Sequence, residues 1–167
     1  MTDSLISEYK SVQKDFDDYH IPWFIHKDLE LSGIVQNYIS LKNEVTMYTG
    51  GANDYYNVDL MVFDFSSGKK MLLNQFVRKD KMDVLLKIGE NEFRRIKDFS
   101  PNISIKKSGY WFENDKFYLP DNFNISDSGF VFFYNLYEIA PRAEGYTKLF
   151  IAKDKLKGLL QNDKFFN

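Results

Sequence analysis

Two histidines, several Ser-x-x-Lys spacings and a handful of carboxylates are the residues of this chain that could do chemistry. His20 and His26 flank Pro22-Trp23, a spacing that suits no standard metal motif, and a zinc site needs a third and a fourth ligand that nothing nearby identifies. They read as surface or half-buried side chains, and no metal is expected. Ser-x-x-Lys begins at Ser11, Ser66, Ser67 and Ser104 among others, and so frequent a short motif carries little information. Lys107-Ser108-Gly109 mimics the Lys-Thr-Gly of penicillin-recognising enzymes, but it precedes every remaining candidate partner, the wrong chain order for that fold. Glu138 and Glu144 are nominal partners for glycoside cleavage, a reaction that needs burial and a set separation between carboxyl groups. Glu138 follows an apolar strand. A carboxylate there needs backbone or guanidinium donors to be tolerated, and Arg142 is one such donor.

Composition removes further classes. There is no Cys, which excludes disulfides, thiolate catalysis and Cys-bound metal. The net charge of −2 comes from interspersed Lys and Asp/Glu, so no basic stripe exists for a phosphate backbone and nucleic acid is not an expected partner. No stretch of 18 apolar residues is present to span a membrane. Met1-Thr2-Asp3-Ser4 is too polar for a signal peptide, so the expectation is either a cytoplasmic protein or a chain that starts after a removed leader.

The elements that must position these residues follow from periodicity. Leu5, Tyr9, Val12 and Phe16 fall at steps of three and four and predict an amphipathic helix over 4–18 that ends before Pro22. The period then changes to two. Strands are expected over 23–31 and 34–48, with Gly33 breaking the run between them and a bulge in the second. Gly50-Gly51 opens a loop before a third strand over 55–65 that directs Val58, Leu60 and Val62 inward, and a Ser66-to-Lys69 turn leads into a short strand at 71–73. A second helix is expected over 79–98, weakened at Gly89 and closed by Pro101. Short strands are expected at 103–105, 110–112 and 117–119, with a turn over 113–116. The densest apolar run, Phe130 to Tyr134, is apolar on both faces and reads as an interior strand with Phe132 deeply buried. Thr147 to Ile151 gives a last strand, and Asp154 is expected to cap a short helix carrying Leu156, Leu159 and Leu160. The 17% aromatic content, with 16 Phe and 11 Tyr, favours strands. The sum is an α+β single domain over 1–167, a mainly antiparallel sheet packed with about three helices.

Four pieces carry a resemblance: Tyr48-Thr49-Gly50-Gly51-Ala52, Asp64 through Leu73, Leu119-Pro120-Asp121-Asn122-Phe123, and Tyr134-Asn135-Leu136-Tyr137-Glu138-Ile139-Ala140-Pro141. In this order they resemble the extracytoplasmic domain of unknown function shared by RsiV-type lysozyme-sensing anti-sigma factors, a peptidoglycan deacetylase and many Bacteroidetes lipoproteins. The resemblance spans about 23–160, with 1–22 as an N-terminal helix that could end a longer N-terminal part. It implies a non-catalytic binding or sensor domain of the cell envelope, periplasmic or on a surface lipoprotein, with no cofactor and with a lysozyme-like protein or a cell-wall glycan as ligand. A lipid-attachment Cys would then lie upstream of the chain. A glycan-acting enzyme and a cytoplasmic structural protein are the alternatives. Three departures stand out: Asn53-Asp54 where His-Gly is common, Leu136 where Pro is common, and Arg142 where an aromatic residue is usual. Ligand contacts made through that His or that aromatic have no counterpart here.

Two loops are therefore expected to lie side by side at one end of the sheet, because each follows an apolar strand and each spends Gly or Pro on irregular backbone. They supply the candidate binding residues Thr49, Gly50, Gly51, Asn53, Asp54, Tyr137, Glu138 and Arg142. The bland reading of the same loops is that they meet only to brace the fold, and the bland reading of Tyr134 and Tyr137 is core packing.

Overall fold

The computed structural model describes residues 2–100 and 103–166. Helix α1, Thr2–Asp15, is followed by strands β1, Phe24–Val35, β2, Tyr38–Tyr48, β3, Tyr55–Asp64, and the two-residue β4, Lys70–Met71. Helix α2, Met82–Ile96, then leads through irregular chain to β5, Phe123–Ser126, β6, Gly129–Tyr134, and β7, Thr147–Ala152. The strands form two antiparallel sheets, one in the order β1-β2-β3-β4 and the other β5-β6-β7. The expected α+β class with antiparallel pairing is observed, and the strands divide between two sheets where one was expected. The third helical position is a 3-10 turn, Lys153–Leu156.

The long hairpin turns at Gln36-Asn37, not at Gly33, with Gln36 in the left-handed region at φ 51°. Gly33 sits instead at the bulge, which lies in the first strand, where the register shifts between Leu31 and Gly33. A Cβ at position 33 would stand 2.7 Å from the Ile125 carbonyl oxygen, so glycine is what lets β5 of the second sheet approach β1 here. Beside this crossing, Ser40 is fully buried, and its hydroxyl donates to the Ile125 carbonyl at 2.8 Å and accepts from the Ile125 N–H at 3.0 Å. A single side chain thus stands in for a ladder partner between the sheets.

The main core lies between α2 and the β5-β6-β7 sheet. Phe93 of α2 is fully buried and its ring meets Tyr110 at 5.1 Å, Phe112 at 5.3 Å and Phe117 at 5.6 Å, mostly edge to face. Phe130, Phe132 and Tyr134 point into this core, while Phe133 joins Val58 and Leu60 in a smaller cluster on the other face. The central strand β6 is thus covered on both sides, and Phe132 is fully buried as its apolar run implies. Val58, Leu60 and Val62 are buried as their two-residue period implies.

Gly89 costs the helix propensity but has a packing reason: a Cβ there would come within 2.9 Å of Leu119 and 3.1 Å of Phe117. The segments around Ile103–Ile105, Tyr110–Phe112 and Phe117–Leu119 are not strands. They run as 3-10 turns, Ile105–Ser108 and Glu113–Asp115, and extended connections, because their aromatic rings pack individually around Phe93 rather than pairing as a ladder. Only Lys70 and Met71 of the short fourth strand pair, and Leu73 begins a 3-10 turn. Asp154 lies inside its turn, whose cap is Ala152 with no side-chain hydrogen bond. Pro101, expected to close α2, lies outside the described residues.

Candidate functional site

The 49–54 loop joins β2 to β3, and the 135–146 loop joins β6 to β7. The structure brings them together: the Arg142 guanidinium forms an ion pair with the Asp54 carboxylate and donates a second bond, of 3.1 Å, to the Asp54 carbonyl. The expected juxtaposition is observed, and it satisfies Arg142 internally. Arg142 is not the partner of Glu138. That carboxylate instead accepts the Asn135 N–H at 2.8 Å and the Tyr118 hydroxyl at 3.0 Å, closing the turn that follows β6. Burial, reinforced by Glu138, holds the Tyr118 hydroxyl well above the usual tyrosine range. Glu144 accepts from the Tyr110 hydroxyl at 3.2 Å, and burial, with Glu144 beside it, pushes Tyr110 up to about 12.

The other candidate residues divide. Gly50 lies against Trp23 and Tyr19, whose side chains bond to each other, and Thr49 faces the groove between α1 and β1. Gly51 is open, with its carbonyl accepting from Tyr48, and Asn53 is exposed. Tyr137 is exposed and left-handed at φ 64°, an uncommon setting for an aromatic residue, whereas Tyr134 is fully buried and donates to the Tyr118 carbonyl. His20 and His26 are both exposed, and among the described residues no group of three or more His, Asp or Glu could hold a metal ion.

Two asparagines of the resemblance motifs carry a role that sequence reasoning missed. Beyond its short pairing with β4, the outer edge of β3 would leave peptide groups bare. Asn122 accepts from the Leu60 N–H at 2.6 Å and donates to the Val58 carbonyl at 2.8 Å and the Phe133 carbonyl at 2.9 Å. Asn135 accepts from the Val58 N–H at 2.8 Å and donates to the Val58 carbonyl at 3.0 Å. The two amides act as a stand-in strand that ties β3 to β6, which is why they sit in tight motifs at the two ends of the β5–β6 hairpin.

Between the sheets opens a cleft of about 380 Å³. Its apolar floor is Val58, Leu60, Val131 and Phe133, and its charged residues are Glu30, Lys42 and Lys148. Tyr56 and Tyr146 lie 5.8 Å apart, and Tyr146 stacks on Phe133 at 5.0 Å and 24°. Tyr56 stands two residues past the first candidate loop and Tyr146 ends the second, so the loops lead into the cleft wall. Lys42 is held by Glu44 at 2.7 Å and Glu30 at 3.7 Å, and the Glu44 bond raises the lysine above its usual range. Tyr56, Tyr146 and Lys148 were legible only as aromatic and basic residues beside loops, a signal too common to single them out.

An α+β domain of two antiparallel sheets with an open, mixed-polarity cleft between them is the class that this fold and site define. Residues 73–154 match the family model described as "Protein of unknown function (DUF3298)", a stretch that begins after β4 and covers α2 and the second sheet. A member of the DUF3298 family from Bacteroides fragilis is similar in structure with a TM-score of 0.77 at 19% identity, over 99% of this chain and 68% of that one. A DUF3298 family protein from Pseudomonas aeruginosa PAO1 follows at 0.69 and 15%, over 93% and 71%. At these identities the likeness is one of fold, and it extends beyond the family match to both sheets. No curated protein matches the chain.

Proposed function

We propose that this domain binds, without catalysis, a glycan of the cell envelope, and that it works in the periplasm or at the cell surface. The single observation carrying this reading is the cleft between the sheets. A concave site with an apolar floor, fixed aromatic rings and a few convergent polar groups is how small polar ligands are held. Tyr146 remains half exposed while pinned by Phe133 and Tyr56, and a fixed aromatic face of this kind suits the apolar face of a sugar ring. The best-aligned polar groups of the two loops, Arg142 with Asp54 and Glu138 with Tyr118, are spent within the fold, which supports a bracing role for them and favours the neighbouring cleft for recognition. The envelope setting and a lysozyme-like protein as the competing ligand rest on the motif resemblance.

The test is retention on insoluble peptidoglycan together with a direct binding measurement against lysozyme, for the wild type and for Tyr146→Ala. Retention that drops at least tenfold in the variant supports the reading. Lysozyme binding that is unaffected by Tyr146→Ala, with no retention on peptidoglycan, overturns it in favour of a protein ligand at another surface.

A further inference from the structure

The first sheet has an apolar face turned away from the cleft. In β1, β2 and β3 the residues that line the cleft, Glu30, Ser32, Lys42, Tyr56, Val58 and Leu60, are all even-numbered, so the odd-numbered positions point the other way. Past the bulge, Ile34 joins that outer face opposite Ile39. The ladder sets Leu31, Leu41 and Met61 in one row there and Ile34, Ile39 and Phe63 in the next. Leu29 extends the patch along β1, and Phe65 lines a shallow hollow with Ile39, Leu41 and Phe63. Leu29 is 63% exposed, Leu31 and Ile34 58% each and Phe65 71%, so no element among the described residues packs over them. Helix α1 stays at the far end of the strands, where Tyr9 meets Trp23 at 5.5 Å and Leu5, Ile6 and Ile25 line one groove. The outer edge of β1 carries Lys27, Asp28 and Glu30 and ends in the bulge at Gly33. Charges and bulges discourage pairing along an edge, so the face is the surface left to cover.

Charge and area select the occupant. On this face Lys27 of β1 stands in the row of Val45 and Asn57, and Asp59 of β3 stands one row along, opposite Asn43 and in line with Leu29. The two charges thus lie on opposite sides of the central strand β2. Asp59 accepts from the amides of Asn43 and Asn57 at 3.2 and 2.9 Å, and neither Asp59 nor Lys27 forms an ion pair among the described residues. A twofold axis along β2 lays β1 of one copy over β3 of the other. It sets the two apolar patches on each other and brings Lys27 of each copy to the Asp59 of the other. With aligned sheets about 10 Å apart and a shift of two residues along the strand, those Cα atoms stand about 12 Å apart, a span that a lysine and an aspartate side chain bridge together. Three strands over about ten residues cover roughly 500 Å² of projected area. Two copies therefore bury about 1,000 Å² before the relief of the side chains is counted, the size from which a specific interface is built.

We infer that the outer face of the first sheet is covered by a second copy of this chain, packed sheet on sheet about a twofold axis along β2. Both clefts stay open in this pair, because each lies on the opposite face of its sheet. Sedimentation velocity of the intact chain over a concentration series, up to about 100 μM, should show a monomer passing to a dimer. Leu31→Arg should weaken the dimer about tenfold or more with an unchanged circular dichroism spectrum. Lys27→Asp and Asp59→Lys should each weaken it as well, since each sets like charges together. Mixing these two variants in equal amounts should restore a dimer, because each supplies the charge that the other lacks. Should Asp59→Lys fail to fold, Leu31→Arg and Lys27→Asp decide. A wild type that is monomeric throughout the series, a dimer that Leu31→Arg leaves intact, or a mixture of folded charge variants that stays monomeric overturns the inference. A monomer that instead sediments with phosphatidylglycerol vesicles, and loses this with Leu31→Arg, also overturns it by giving the face to a membrane.

Discussion

Replacing Asn122 by Ala should unfold the junction between the sheets. The side chain makes three hydrogen bonds to backbone: it accepts from Leu60 N–H and donates to the carbonyls of Val58 and Phe133. Val58, Leu60 and Phe133 are all buried, so the peptide groups left behind reach water poorly. A buried donor or acceptor without a partner costs about 1–3 kcal/mol. The Val58 carbonyl keeps the Asn135 amide, so the loss falls on Leu60 N–H and the Phe133 carbonyl, which places Asn122→Ala at about 2–6 kcal/mol. In a domain of this size 1 kcal/mol shifts the midpoint by about 2–4 °C, so a drop of at least about 4 °C is expected, and one of about 12 °C at the middle of both ranges. Scanning calorimetry measures it, with Asn53→Ala, an exposed loop position, as the control. Because both amides serve the Val58 carbonyl, the double variant Asn122→Ala with Asn135→Ala should depart from additivity, as groups sharing a partner do. A midpoint for Asn122→Ala that matches the control would refute the claim that these amides stand in for a strand.

Phe132→Ala removes a fully buried ring from the centre of β6 and should cost about 3–5 kcal/mol in urea unfolding; an unchanged transition midpoint would mean that the core lies elsewhere. Glu92 of α2, 8% exposed, is bonded by Arg95 and by Lys155 at 3.1 Å, and the Arg95 bond, followed by Lys155, holds its carboxyl below the usual range despite burial. Since its folded value is the lower one, its contribution is present above the unfolded value and fades as pH falls through the folded value. Wild type should therefore lose its stability advantage over Glu92→Gln as acid titrates this carboxylate below pH of about 4.5, and a difference independent of pH down to 2 would refute the role of charge.

What the chain decides locally is legible in its sequence. Phe130 to Tyr134 has no polar residue to place on a wet face, so it had to become a strand covered on both sides, and the even positions of β3 had to turn inward. Turn chemistry placed Ser66 to Lys69, where Asp64 accepts from both the N–H and the hydroxyl of Ser67, because that motif closes on itself. Aromatic density around 103–119 was misleading, since rings that pack one by one on Phe93 give the same composition as rings on a pleated sheet. Gly33 misled for a related reason: glycine marks a turn or a close approach, and only the arrival of β5 from some ninety residues away tells the two apart. The site is decided almost wholly by tertiary structure. Asn135 meets Val58 across 77 positions, Asn122 meets Leu60 across 62, and Arg142 meets Asp54 across 88. The sequence shows that such polar groups exist, but which of them satisfy one another depends on how two sheets cross, and no local periodicity encodes that angle.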